Sequence, residues 1–165
     1  MDAPMRYRIG FGTDLHRLRK GEGIRLGGMT IPCGLSCDAD SDGDVLVHAL
    51  VDALLGSLAL GDIGERFPAD KVRRGEDSRV FLAQARSLVL AAGARVINVD
   101  SVIHLEQPNL KNWKNGIRRS LAEVLDLPPA NIGVKAKTAE GLGPIGEGLA
   151  VGAQAAVLVE LDEDA

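Results

Sequence analysis

"DADSDGDVLVHALVDALLG", residues 38–56, sets Asp38, Asp40, Asp42 and Asp44 within seven positions and then runs into an apolar stretch carrying His48. From Val45 the apolar residues Val45, Ala49, Leu50, Ala53, Leu54 and Leu58 recur at three- and four-residue spacing. That period predicts a helix reaching towards Gly61, with Ser41 or Asp42 as its N-cap. In this frame Asp44, His48 and Asp52 stand at i, i+4 and i+8 and share one face. The imidazole would then be framed by two carboxylates, an arrangement that orients metal-bound histidines, with Asp42 helping to set the helix start.

A calcium loop is the competing explanation for the aspartates. Asp38, Asp40, Asp42 and Gly43 suit positions 1, 3, 5 and 6 of an EF-hand, but the bidentate glutamate of position 12 is replaced by Ala49. The preceding "GGMTIPCGLSC" does not read as a helix either. Asp38 and Asp40 have no role in the helix frame.

Upstream, "GTDLHRL" places Asp14 and His16 two residues apart, so on an extended segment both point the same way. Asp14, His16 and His48 together make an oxygen/nitrogen/nitrogen set with a fourth tetrahedral position open, the form of a catalytic zinc site. Two other stretches suit phosphate. The helix start at 41–44 offers N–H groups and the Ser41 hydroxyl. The segment "KTAEGLGPIG" at 137–146 offers Lys137, Thr138 and Glu140. A glutamate beside phosphates commonly acts through a bridging magnesium ion, although a solvated turn between strands is the simpler reading.

Around these motifs the chain alternates strands and helices. Strands are expected at 6–12, 24–31, 95–105, 132–137 and 149–161, and helices at about 77–92 and 111–125 besides the first. Residues 61–76 read as a loop, as does the glycine-rich segment from Thr138. The pattern predicts one α+β domain over residues 1–165, a mixed β-sheet with three helices on one face. The last strand is apolar on both sides, with Ala156 and Leu158 opposite the row Leu149 to Leu161. Such a strand suggests sheet-to-sheet burial through oligomerisation.

Composition narrows the functional classes. A net charge of −4 with no basic run argues against nucleic-acid binding. The apolar segment from Val45 to Leu60 is interrupted by His48 and Asp52 and too short to span a bilayer. "MDAPMRYRIGFG" lacks the apolar core of a signal peptide, so a cytoplasmic location is expected. Cys33 and Cys37 are expected to be free thiols.

The segments "GFGTDLHRL", "RLGGMTIP", "SDGDVLVHALVDALLGSLALGDIGERFP", "EDSR", "NVD" and "VKAKTAEGLG" follow one another in order. From about Arg8 to Leu161 the chain closely resembles the 2-C-methyl-D-erythritol 2,4-cyclodiphosphate synthase family of the non-mevalonate isoprenoid pathway. The resemblance implies a homotrimer whose sheets pack around the trimer axis, with active sites between subunits. It also implies a phosphorus–oxygen lyase acting on a cytidine-diphosphate substrate. Zinc would be held by Asp14, His16 and His48, one ion per active site, and magnesium or manganese would enter with the substrate through Glu140. Thr138, Asp62 and Ser41 would serve catalysis. Substrate contacts would come from those residues and from Asp40, Ile63, Gly64, Phe67, Asp70, Glu106, Pro108, Asn109, Lys111 and Lys137.

Three positions depart from the family pattern. Asp40 stands where a histidine is usual, Asn109 where a lysine is usual, and Glu147 where an arginine is usual. The loop "FPADKVRRG" is about one residue short. All three substitutions disfavour a polyanion, which keeps open a diverged zinc-binding trimer acting on another nucleotide or phosphate ester, or only weakly catalytic. A non-enzymatic binding or regulatory protein is the third reading.

Overall fold

The computed structural model describes residues 6–68 and 75–162. A five-stranded sheet forms one layer, in the order β4–β1–β7–β5–β6, with only β5 and β6 parallel. The strands are β1 (Tyr7–Lys20), β4 (Leu35–Cys37), β5 (Ala94–His104), β6 (Ile132–Lys137) and β7 (Ala150–Leu161). A separate hairpin pairs β2 (Gly23–Leu26) with β3 (Met29–Pro32). The second layer holds α1 (Val45–Ser57), α3 (Ser78–Ala91) and α4 (Lys114–Leu125). Two single turns, α2 (Ile63–Arg66) and α5 (Gly143–Gly146), lie in the connecting loops. The expected α+β sheet with three helices on one side is therefore what the chain forms.

Several boundaries differ from expectation, each for a local reason. The predicted strand 24–31 folds back on itself at Gly27 and Gly28, both with positive φ, which suits glycine. The first strand extends well beyond residue 12, because β7 pairs with it from Tyr7 to Arg17. The first helix ends at Ser57 rather than near Gly61, and the fourth starts at Lys114 rather than 111. The expected loops at 61–76 and 138–148 each contain one helical turn that their glycines concealed.

Helix α1 is the centre of the core. Val45, Leu46, Val47, Ala49, Leu50, Val51, Ala53, Leu54 and Leu55 are all fully buried, so this helix is apolar nearly all round. It lies across β1 and β7 and against α3, while α3 packs on β5 and α4 on β6. Each buried leucine stabilises the fold by about 2 kcal/mol through apolar area alone. Val151, Ala153, Ala155, Val157 and Val159 of β7 face this core, as their alternation predicts, whereas Leu149 is half exposed.

The opposite face of the sheet carries Tyr7, Ile9, Phe11 and Leu15, all at least half exposed. Ile9 pairs with Leu158 and Phe11 with Ala156, so these residues form one continuous apolar strip. Among the described residues no helix is long and apolar enough to cross a membrane. Cys33 and Cys37 are free thiols, as expected.

Candidate metal centre

Asp14 and His16 leave β1 on the side that faces α1, and His48 meets them from the helix. Asp14 Oδ2 lies 2.9 Å from His48 Nδ1 and 3.0 Å from His16 Nε2, and the two ring nitrogens are 3.2 Å apart. Among the described residues these three form the group whose donor atoms could hold a metal ion. The cluster joins residues 32 and 34 positions apart, so it exists only once α1 has docked on β1.

The donor chemistry fits a borderline-soft divalent ion such as zinc: one carboxylate oxygen and two imidazole nitrogens, three of the four ligands of a tetrahedral site. Burial opposes the Asp14 charge, but hydrogen bonds from His16 and His48 outweigh it and hold the carboxyl well below its usual range. Burial likewise opposes charge on His48. The Asp14 hydrogen bond, with the nearby charges of Asp14, Asp44 and Asp42, nevertheless raises its pKa.

The framing of His48 by Asp44 and Asp52 is not what forms. Asp44 itself is the N-cap, replacing the expected Ser41 or Asp42. Its fully buried carboxylate accepts the N–H groups of Val47, Gly27 and Gly28. Asp52 accepts from Ile63 N at 2.7 Å and so anchors α2. The cap position one residue before Val45 turns Asp44 away from the His48 face. It also takes up the Val47 N–H, one of the helix-start groups expected there for phosphate, while Gly43 and Asp44 N–H are taken by Ser41 and Asp42.

The other aspartates separate too. Asp42 accepts the N–H groups of Asp44 and Ser78, meets the Ser78 hydroxyl and lies 3.7 Å from Arg25. Asp38 pairs with Arg19 at the surface, and Asp40 is exposed. These carboxylates do not converge, so the calcium loop does not form.

The remaining expected site residues lie along connecting loops. Ser41 is 3.5 Å from His48 Nε2 and accepts the Gly43 N–H. Asp62 caps α2 by accepting from Glu65 N; Gly64 follows, and Phe67 packs against Phe81 with ring centroids 5.3 Å apart. Asp70 lies outside the described residues.

After β6, Thr138 donates to Glu140 at 2.8 Å, and Glu106 accepts from Ala139 N. The Asn109 side-chain oxygen accepts the backbone N–H of Lys111 at 2.8 Å, with Pro108 just before it in the chain. Lys137 pairs in register with His104, His104 with Gly152, and Gly152 with Leu15. The Thr138–Glu140 loop is thus about 14 Å, or three strand spacings, from the Asp14 strand at the same level of the sheet.

One residue escaped the sequence reading. Ser78, fully buried at the start of α3, lies 2.9 Å from His48 Nε2. Its only signal was the position after Asp77 in "EDSR", which marks a helix start rather than a partner for a histidine 30 residues earlier.

Fold and site together define an α+β protein with an aspartate–histidine–histidine cluster, able to hold a metal ion, between β1 and α1. The chain belongs to the YgbB family, whose pattern it matches over residues 7–160, and so to the family of 2-C-methyl-D-erythritol 2,4-cyclodiphosphate synthases. The synthase of Solibacter usitatus is 49% identical over 154 residues, which span 93% of this chain and 97% of that one. A solved structure of such a synthase, 44% identical, superposes with a TM-score of 0.86 over 93% of this chain and 100% of its own. A CDP-bound form is 43% identical with the same TM-score and the same coverage of both chains.

Proposed function

We propose that this chain cyclises 4-diphosphocytidyl-2-C-methyl-D-erythritol 2-phosphate to 2-C-methyl-D-erythritol 2,4-cyclodiphosphate and releases CMP, a phosphorus–oxygen lyase of isoprenoid precursor synthesis. The observation that carries this reading is the convergence of Asp14 Oδ2, His16 Nε2 and His48 Nδ1 on one point. A zinc ion held there would supply positive charge to the phosphates as a Lewis acid.

The reaction joins an oxygen of the 2-phosphate to the β-phosphorus. The bond from that phosphorus to the bridging oxygen breaks, and the electron pair leaves with CMP. No protein nucleophile is needed, so the chain contributes alignment and charge placement. Thr138 and Ser41 would donate hydroxyl hydrogen bonds to phosphate oxygens, and Lys137 would supply a cation. Glu140 would hold magnesium together with the substrate phosphates, as this ion commonly uses only one or two carboxylates. Asp62, Ile63, Gly64 and Phe67 would hold the erythritol, and Glu106, Pro108, Asn109 and Lys111 would border the cytidine.

The reading includes a homotrimer with active sites between subunits. Its support is the exposed apolar strip of Tyr7, Ile9, Phe11 and Leu15, and the distance between the Asp14 strand and the Thr138–Glu140 loop.

A second reading is favoured by the charges near the site. Asp40 and Glu147 are exposed carboxylates, and Asn109 is occupied in capping its own turn. A carboxylate about 6 Å from a phosphate charge costs about 3 kcal/mol at an effective dielectric near 20. On this reading the chain serves a less anionic nucleotide or phosphate ester.

Phosphorus NMR of the protein with zinc, magnesium and the cytidyl substrate decides between them. Cyclic diphosphate with stoichiometric CMP supports the synthase; unchanged substrate in a zinc-loaded sample supports the second reading. His48→Ala is expected to lose both zinc and turnover, and retention of both would refute the site.

A further inference from the structure

We propose that Ser78 and Asp42 are positioning residues that keep a proton on His48 Nε2 and thereby commit Nδ1 to the metal. This rests on the metal-site reading of Asp14, His16 and His48. The argument follows one hydrogen atom. An ionised carboxylate can only accept, and Asp42 binds Ser78 twice, through the backbone N–H at 2.8 Å and through the side-chain hydroxyl. The Asp44 N–H and the Arg25 guanidinium hold Asp42 in that position.

The Ser78 hydroxyl has a single hydrogen, and it is directed at Asp42. The oxygen therefore offers only lone pairs to His48 Nε2, 2.9 Å away, and that contact requires the proton on Nε2. Ser41 Oγ, at 3.5 Å from the same nitrogen, is a longer and weaker neighbour. Nδ1, on the other side of the ring, is the nitrogen that faces Asp14 and His16. Fixing one ring nitrogen as a donor selects the other as the ligand and sets the ring plane, the service that outer partners perform for metal-bound histidines. The start of α3, which contributes no ligand, thus governs how well the centre holds its ion.

Full-length protein labelled with nitrogen-15 in histidine tests this by NMR, with cadmium-113 as the metal probe. His48 Nε2 is expected to carry a slowly exchanging proton with and without cadmium, and the cadmium coupling should appear at Nδ1. Coupling at Nε2, or an Nε2 without a proton, overturns the proposal. Ser78→Ala should lower zinc affinity by about 10- to 100-fold and speed exchange of the Nε2 proton while the protein still melts cooperatively. Unchanged affinity and exchange would also overturn it. Asp42→Asn keeps the side-chain volume and should shift both readouts in the same direction, so it carries the test if Ser78→Ala does not fold. Wild-type protein that binds neither zinc nor cadmium would refute the metal reading, while the Nε2 proton of the metal-free protein still decides the positioning claim.

Discussion

Gly12 of β1 lies directly beneath the carbonyl oxygen of Ala49 in α1, so close that a β-carbon at residue 12 would overlap it. This contact sets the height of the helix above the strand. It therefore sets the reach from Asp14 and His16, two and four residues further along β1, to His48, one residue before Ala49.

Gly12→Ala should consequently act on both stability and metal binding. Backbone atoms, which have little freedom to move aside, stand where the methyl group would go, and overpacking of this kind costs about 3 kcal/mol. Urea unfolding should show that loss, and zinc stoichiometry should fall with it. A variant of native stability that still binds zinc would mean that the helix can shift without disturbing the site.

Asp44→Asn separates the role this residue has from the one expected of it. Through its oxygen an amide can still accept from Val47 and Gly27, but its NH2 group, in the place of Oδ2, cannot accept from Gly28. Stability should fall by about 1–2 kcal/mol, the cost of a buried donor left without a partner. Zinc stoichiometry should remain that of the wild type, because the Asp44 carboxylate binds Val47, Gly27 and Gly28 rather than His48. Loss of zinc at native stability would restore the framing of His48 by Asp44.

The pH dependence of zinc binding follows from His48. Its pKa in the metal-free fold is raised above the ordinary 6.5. Its own contribution to stability is therefore fully present below about 6.5 and fades as pH rises through the folded value. Asp14, held below its ordinary 3.8, adds a contribution that is lost only in acid, as pH falls through its depressed value. Zinc runs opposite to His48, because the ion must displace the Nδ1 proton. Excess zinc should accordingly raise the melting temperature more at pH 8 than at pH 6. Equal shifts at the two pH values would show that His48 does not give up a proton to the ion.

Cys37 should be inert. Burial, followed by the charges of Asp44, Asp14 and Asp42, pushes its thiol up to about 12. At pH 8 roughly one thiol in ten thousand is then ionised, and the thiolate is the reactive form. Iodoacetamide should leave Cys37 unmodified by peptide mass spectrometry under native conditions and alkylate it after unfolding. Rapid native labelling would contradict this environment.

Much of the site was legible because its ligands obey local periodicities. Asp14 and His16 alternate on a strand, and His48 lies on a helix whose apolar spacing is unmistakable. Those periods also predicted most of the strands and helices, and they placed the core side of β7. The partners of Asp42, Asp44 and Asp52 were not legible, because each carboxylate is consumed by backbone N–H groups or side chains from another element. A shift of two or three residues in the cap is enough to redirect them.

By itself the sequence determined the alternating elements, the family and the three metal-ligand candidates, since spacing within one strand or one helix is a local property. Only the tertiary structure decided that Asp44 caps α1 and grips the Gly27–Gly28 turn, that Asp52 anchors α2, and that Ser78 meets His48. Those contacts join residues from 11 to 30 positions apart, or 3 in the cap itself. No periodicity links such positions; the close packing of α1 on β1 and of α3 on α1 brings them together.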